Sequence, residues 1–152
     1  MDIINLLFPA GAFLTQRYGV NAEYYAKYGL RGHNGIDIAR PRDLPWYAWH
    51  GTSVCCLTSG KATPGYSGGY GLYLYLYADD GDEWLYAHLA QLLNCGYVRA
   101  GDVIGRAGYT GNCEPPGGPG THLHLGWRPR GYSVADGMRG YADPLIWASR
   151  TG

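Results

Sequence analysis

Charge of either sign is scarce in this sequence, whose 152 residues carry 12 Lys and Arg against 12 Asp and Glu, a formal net charge of zero. Without a basic field there is nothing to hold nucleic acid or an anionic surface, so partners must be recognised by shape and local contacts. Long apolar runs are missing as well, and no segment is fit to span a bilayer. The amino terminus, Met1 to Pro9, has an acid where an export signal needs positive charge, and its apolar stretch is short. The four cysteines, Cys55, Cys56, Cys95 and Cys113, show no Cys-x-x-Cys spacing, which argues against a cysteine zinc site or a thioredoxin-like pair. Cys55 and Cys56 point to opposite faces if their run is a strand. Cys95 and Cys113 fall in loops and could pair, but four reduced thiols are expected where no export signal is present. The glycine-rich stretch Pro64 to Gly71 lacks the lysine and helix of a phosphate loop and reads as a tight reversal. Asp79, Asp80 and Asp82 lack the rest of an EF-hand and read as a solvated turn. No repeat, low-complexity tract or His-Glu-x-x-His motif occurs.

What the chain does have is glycine and tyrosine, 25 and 15 residues respectively, a composition of short strands and many turns. Its length predicts one domain, 1–152, with a core large enough to fold without disulfides. The alternation Leu-Tyr-Leu-Tyr-Leu-Tyr from Leu72 to Tyr77 marks the clearest strand, with the turn 78–82 leading into a second, antiparallel one. Leu14 to Tyr18, a run starting at Trp46 and Val54 to Leu57 are further strand candidates. Val98 to Gly105 reads as a hairpin about Gly101-Asp102, and Ala90 to Leu93 as a helical turn. Asn21 is expected to cap a short helix through Tyr28, stopped by Gly29, that packs Tyr24, Tyr25 and Tyr28 on the sheet; a rim position in a substrate groove is the lesser reading. Asp143-Pro144 is expected to cap a last turn burying Leu145, Ile146 and Trp147. The fold class is therefore all-β and mainly antiparallel, with a few short helical turns and a groove walled by glycine-rich loops.

Histidines give this frame a chemistry. In Thr121-His122-Leu123-His124-Leu125, two imidazoles one residue apart share a side only in an extended chain, with both leucines turned to the core. His33-Asn34-Gly35-Ile36-Asp37-Ile38 repeats the pattern with a histidine and a carboxylate. Trp84 to Leu89 repeats it again, with Leu85, Ala87 and Leu89 on an apolar side and His88 opposite. One histidine on a strand is usually a surface or satisfied core residue. Three such segments in one chain point further, because imidazole and carboxylate are the usual ligands of a catalytic zinc with one position open. His50, before Gly51, lies outside these patterns and is expected away from the metal.

These segments resemble the zinc peptidases of the M23 family, the lysostaphin type, which cut peptide bonds in bacterial peptidoglycan. The matching residues are His33-Asn34-Gly35-Ile36-Asp37-Ile38-Ala39 with Pro41, Gly68-Gly69-Tyr70-Gly71, Tyr86-Ala87-His88-Leu89, Val98 to Gly105, Gly108-Tyr109-Thr110-Gly111, His122-Leu123-His124 and Asp143-Pro144-Leu145. The resemblance implies the family's fold (duplicated hybrid motif), one zinc ion held by His33, Asp37 and His124, and catalytic roles for His88 and His122. It also implies a peptidoglycan peptide as partner, a monomer, and action at the bacterial cell wall. Lacking a signal peptide, the chain would reach the wall by phage delivery or as an excised domain of an exported protein. The segment between Asn112 and Gly120 is longer than the family's usual link, Thr121 stands where Pro is usual, and no wall-binding module accompanies the domain. A noncatalytic wall-binding or amidase-activating relative would share the fold but lack ligand residues. A sugar-phosphotransferase carrier also brings two histidines together on a related β-fold, but would not need Asp37.

Overall fold

Turn-rich, strand-forming sequence folds into nine short strands and four short helices in a computed structural model that describes residues 2–151. Met1 and Gly152, part of the expected span 1–152, lie outside the described residues. In chain order the elements are α1 (Ile3–Leu7), β1 (Phe13–Gln16), α2 (Ala22–Ala26), β2 (Ile36–Ala39), α3 (Trp46–Trp49), β3 (Ser53–Cys55), β4 (Gly60–Ser67), β5 (Gly71–Ala78), β6 (Glu83–Leu92), β7 (Gly96–Val98), β8 (Val103–Ala107), β9 (His122–Arg128) and α4 (Pro144–Thr151). Every ladder is antiparallel. The strand order is β1-β2-β9-β6-β5-β4-β7, with β8 joining β6 to β3 off that path. The all-β, mainly antiparallel architecture read from the sequence is the one observed. No helix among the described residues is long and apolar enough to cross a membrane.

The core lies on one face of this sheet. Ile36 and Ile38 of β2, Leu74 and Leu76 of β5, Trp84 and Tyr86 of β6, and Leu123 and Leu125 of β9 are all fully buried in one cluster. Trp147 of α4 packs edge-on against Trp84, ring centroids 4.9 Å apart, and so ties the last helix to the sheet. Aromatic burial of this kind carries a large share of the apolar area removed from water.

Strand β6 organises the opposite face. It pairs with β5 along one edge; along the other it pairs with β9 as far as Ala87 and with β8 from Leu89 onward. The change of partner falls at His88, whose φ of 63° is left-handed. Opposite β5 the register slips there too, since Leu74 faces Tyr86 while Leu72 faces Leu89, one residue extra in β6. This is a β-bulge with a non-glycine residue in the left-handed position. It corrects the expected apolar side of Leu85, Ala87 and Leu89. Only Leu89 enters the main core, whereas Leu85 and Ala87 pack with Tyr141 on the other face.

Other expectations are corrected locally. The run at Trp46 opens a helix, not a strand: Pro45 supplies a fixed φ of −66° before it, and the turn drives Trp49 into the core against Phe8, 5.1 Å away. Ala90 to Leu93 makes no helical turn, because β6 continues and Gln91 and Leu92 pair with Arg106 and Gly105. Part of the stretch read as a reversal is instead β4, including Pro64. Proline is tolerated there because β7 pairs only with Gly60 to Ala62, leaving that edge of β4 open further along. Asp102 does close a turn, its N–H donating to the Arg99 carbonyl at 2.9 Å, but β7 and β8 leave it to pair with different strands. Helix α2 ends at Ala26 and Asn21 makes no side-chain cap, although Gly29 is left-handed as expected. In α4 Trp147 is buried but Ile146 is 46% exposed.

Candidate functional site

Strands β2 and β9 pair so that Asp37 lies opposite His124 and Ala39 opposite His122. Their core-facing neighbours Ile36, Ile38, Leu123 and Leu125 fix the alternation, so Asp37, His122 and His124 turn to the other face together. His33 sits just before β2, in a loop and not in the strand itself. Its backbone is clasped by that of Gly19 (2.7 Å) and Val20 (2.9 Å).

Three of the expected residues converge. His33 Nε2, Asp37 Oδ1 and His124 Nδ1 form a triangle with all three sides 3.1 Å. Donor atoms about 2.0–2.1 Å from a tetrahedral zinc would be about 3.3 Å apart, so the triangle is close to one face of such a site. The Nδ1–H of His33 donates to the Arg17 carbonyl at 3.2 Å, which leaves Nε2 as a bare lone pair. Asp37 is held as a carboxylate: burial works against the charge, but the adjoining His124 and His33 rings and the nearby His122 ring pull its pKa well below the usual range. Burial pulls His124 the other way, toward the neutral ring a ligand needs, with Asp37 opposing. His124 Nε2 is buried with no hydrogen-bond partner, an unpaired polar atom in a ring whose other nitrogen is aimed at the triangle. Two neutral imidazoles and a carboxylate crowded at this spacing repel unless a cation lies between them, so the donor set fits a divalent metal.

The remaining pair lies alongside. His88 and His122 face each other with ring centroids 4.6 Å apart, and His122 Nε2 is 3.7 Å from Asp37 Oδ1. Both rings are oriented by backbone carbonyls: Nδ1–H of His88 donates to Thr110 O and that of His122 to Gly120 O, each at 2.8 Å. Nε2 of each is therefore the available lone pair. Burial, reinforced by the neighbouring His122, lowers His88 to about 3, so its ring is neutral across the physiological range. The structure thus brings all five expected residues to one place, while His50 stands apart against Tyr109 and Trp46.

These residues lie in a cleft of about 1180 Å³. Tyr24, Tyr25 and Tyr28 line it, and α2 has no buried residue, which corrects their expected packing on the sheet. Tyr25 flanks His33 at 5.3 Å and Tyr70 flanks His124 at 5.5 Å between centroids. Sequence reasoning missed Tyr70 as a neighbour of the metal-competent rings, Thr110 as the residue orienting His88, and the steric role of Gly35. The last had a signal, a glycine inside the histidine motif immediately ahead of the alternating Ile36 and Ile38. Cys113 is buried beside His88 and His122, one ligand atom of each lying within 4.8 Å of the others. All four cysteines are free, so the pairing of Cys95 with Cys113 considered from sequence is not made.

Residues 31–136 match the profile of the family described as Peptidase family M23. The DD-carboxypeptidase/endopeptidase Mpg of Neisseria meningitidis serogroup B is 39% identical over 106 residues, 68% of this chain and 22% of its own length. The chain thus spans under a quarter of the curated relatives it matches. Among solved structures, the antimicrobial peptidase lysostaphin from Staphylococcus simulans superposes with a TM-score of 0.70 at 25% identity, covering 100% of this chain and 53% of that one. A zinc-containing peptidase from Vibrio cholerae superposes with a TM-score of 0.56 at 28% identity, covering 74% of this chain and 29% of that one.

Proposed function

The chain belongs to peptidase family M23, and from that membership and its cleft we propose a zinc-dependent endopeptidase that hydrolyses peptide bonds in bacterial peptidoglycan, in cross-bridges or stem peptides. The observation that carries the reading is the 3.1 Å triangle of His33 Nε2, Asp37 Oδ1 and His124 Nδ1 beside a second pair of imidazoles. His33, Asp37 and His124 would hold a single zinc ion, with Arg17 O keeping His33 in the right tautomer. Such an ion would supply a Lewis acid for the scissile carbonyl and lower the pKa of a water to about 7.

His88 and His122 share the proton transfers. With Nδ1–H of each committed to a carbonyl, the two Nε2 lone pairs face the reacting groups. One accepts the proton of the attacking water, and the other, once protonated, stabilises the oxyanion or hands its proton to the leaving amine. Such help is worth about a hundred- to ten-thousand-fold in rate. Extended peptide fits the open cleft, where tyrosine rims and backbone edges hold it without strong charge. The chain acts at the cell wall as a monomeric domain, 1–152.

A second reading concerns the bond. The Neisseria relative is named for carboxypeptidase as well as endopeptidase activity. Arg40 and Arg42 line this cleft and offer the cations that a free terminal carboxylate would need.

Digestion of purified peptidoglycans of different cross-bridge type, with and without chelator, followed by mass analysis of the fragments, tests both. Cleaved cross-links, lost on chelation and restored by zinc, support the endopeptidase. Release of single terminal residues supports the carboxypeptidase. Intact wall in the presence of zinc-loaded protein, or cleavage indifferent to chelation, overturns the proposal.

A further inference from the structure

Beside the His-Asp-His triangle the cleft wall carries a second group of potential ligands, two of which the reaction proposed above uses for another purpose. His88 comes from the bulge of β6, His122 from the start of β9, and Cys113 from the long segment between Thr110 and β9. One ligand atom of each lies within 4.8 Å of the other two. Cys113 is 4% exposed, and its Sγ–H points at Thr110 O, 3.6 Å away, the same carbonyl that receives Nδ1–H of His88. Both histidines keep an uncommitted Nε2. One thiol and two imidazoles make a borderline-soft donor set of the kind that takes zinc, cadmium or cobalt rather than magnesium or calcium. Ligand atoms around a tetrahedral zinc stand about 3.3 Å apart for N and N and about 3.6 Å for N and S, so from separations within 4.8 Å no pair has to close by more than about 1.5 Å.

We propose that His88, Cys113 and His122 form a second, thiol-containing site for a soft divalent cation, and that its occupation withdraws both histidines from proton transfer. On binding, a metal–sulfur bond replaces the Sγ–H bond of Cys113; that proton leaves to buffer, and each imidazole contributes a lone pair without losing a proton. No oxidation state changes. Metal in excess of one equivalent therefore inhibits. Only this inhibitory consequence rests on the peptidase reading; the site itself does not.

The test titrates cadmium or cobalt into protein already carrying one equivalent of zinc. A second equivalent is expected to bind with a thiolate-to-metal charge-transfer band. The band should survive Cys95→Ser, which removes the exposed thiol, and vanish in Cys113→Ala and in the volume-conserving Cys113→Val, with folding of each checked by circular dichroism. Wall digestion should fall at least ten-fold as the band grows, and each Cys113 variant should keep its own one-equivalent rate under excess metal. Absence of the band in wild type, or its persistence in both Cys113 variants, overturns the second site whatever the peptidase assay shows. A Cys113-dependent band on a protein that digests no wall at one equivalent of zinc upholds the site and strikes down the peptidase reading instead.

Discussion

His88 meets His122, ring centroid to ring centroid at 4.6 Å, from a backbone turned left-handed at φ 63°. Two residues earlier on the same strand, Tyr86 points into the main core opposite Leu125. Strict alternation would send His88 into that core as well. The extra residue in β6 breaks the alternation, so the histidine emerges in the cleft and Leu89 takes the core position. The placement is thus built from a bulge and from two partners that hold it, Tyr70 O receiving the His88 N–H at 2.8 Å and Thr110 O receiving Nδ1–H.

A left-handed non-glycine residue stores about 1–2 kcal/mol of backbone strain. Replacing His88 by Gly removes the side chain and the strain; replacing it by Ala removes only the side chain. Thermal melts of the two variants should therefore differ by about 1 kcal/mol in favour of His88→Gly. An Ala variant as stable as the Gly variant would show that position 88 is not strained.

Ligand and acid–base roles should separate under mutation. His33→Ala, Asp37→Ala and His124→Ala are expected to be purified without zinc. His88→Ala and His122→Ala are expected to retain it while wall digestion drops by about a hundred- to ten-thousand-fold. Metal analysis of the five proteins beside the digestion assay reads both; equal zinc loss in all five would refute the division.

Zinc should also stabilise the fold, because the triangle exists only when β2 and β9 are paired. At a free concentration one hundred times the dissociation constant the gain is about 2.7 kcal/mol. For a chain of this length that corresponds to a rise in Tm of roughly 5–10 °C. Calorimetry with and without chelator checks it, and Asp37→Ala should show no rise.

How much of this was legible in the sequence depends on how local the cause was. The faces of β2 and β9 were, because Ile36, Ile38, Leu123 and Leu125 alternate strictly with Asp37, His122 and His124. The site residue His88 was also named, but for a reason the structure corrects: Leu85 and Ala87 share its side, and only the bulge brings it there. No periodicity announces a bulge at a histidine, since the left-handed conformation is held by Tyr70 O and Thr110 O, remote in the chain. Likewise β4 was hidden by its own Pro64, which is harmless because no strand pairs with that part of its edge, a fact about β7. The tyrosines of α2 were read as packing residues because spacing records a shared face but not what that face meets.

Burial, with Asp37 and Glu114 nearby, pushes the Cys113 thiol up to about 12. A raised thiol pKa leaves the reactive thiolate scarce below that pH, about one molecule in ten thousand at pH 8. In metal-free protein an alkylating reagent at pH 8 should modify exposed Cys95 first and leave Cys113 untouched until the chain unfolds. Peptide mapping after timed labelling gives the order, and early modification of Cys113 would contradict its burial.

Gly35 decides how closely the motif loop can approach β9. A Cβ at this position would stand 2.4 Å from the Leu125 carbonyl oxygen and 2.8 Å from both Cε1 and Nε2 of His124. The carbonyl belongs to the β9 backbone and cannot yield cheaply, so the His124 ring must turn, carrying Nδ1 away from its 3.1 Å contact with Asp37. Overpacking of this kind costs about 1–3 kcal/mol, and displacing a ligand's support costs about ten- to a hundred-fold in metal affinity. Gly35→Ala should therefore lose both stability and zinc, read by thermal melting and by competition with a chromogenic chelator. Gly68→Ala is the control, since nothing lies within 4 Å of a Cβ there. It should stay within about 0.5 kcal/mol of wild type and bind zinc as tightly. Wild-type zinc affinity in Gly35→Ala would mean that the approach of the loop to β9 does not set the position of His124.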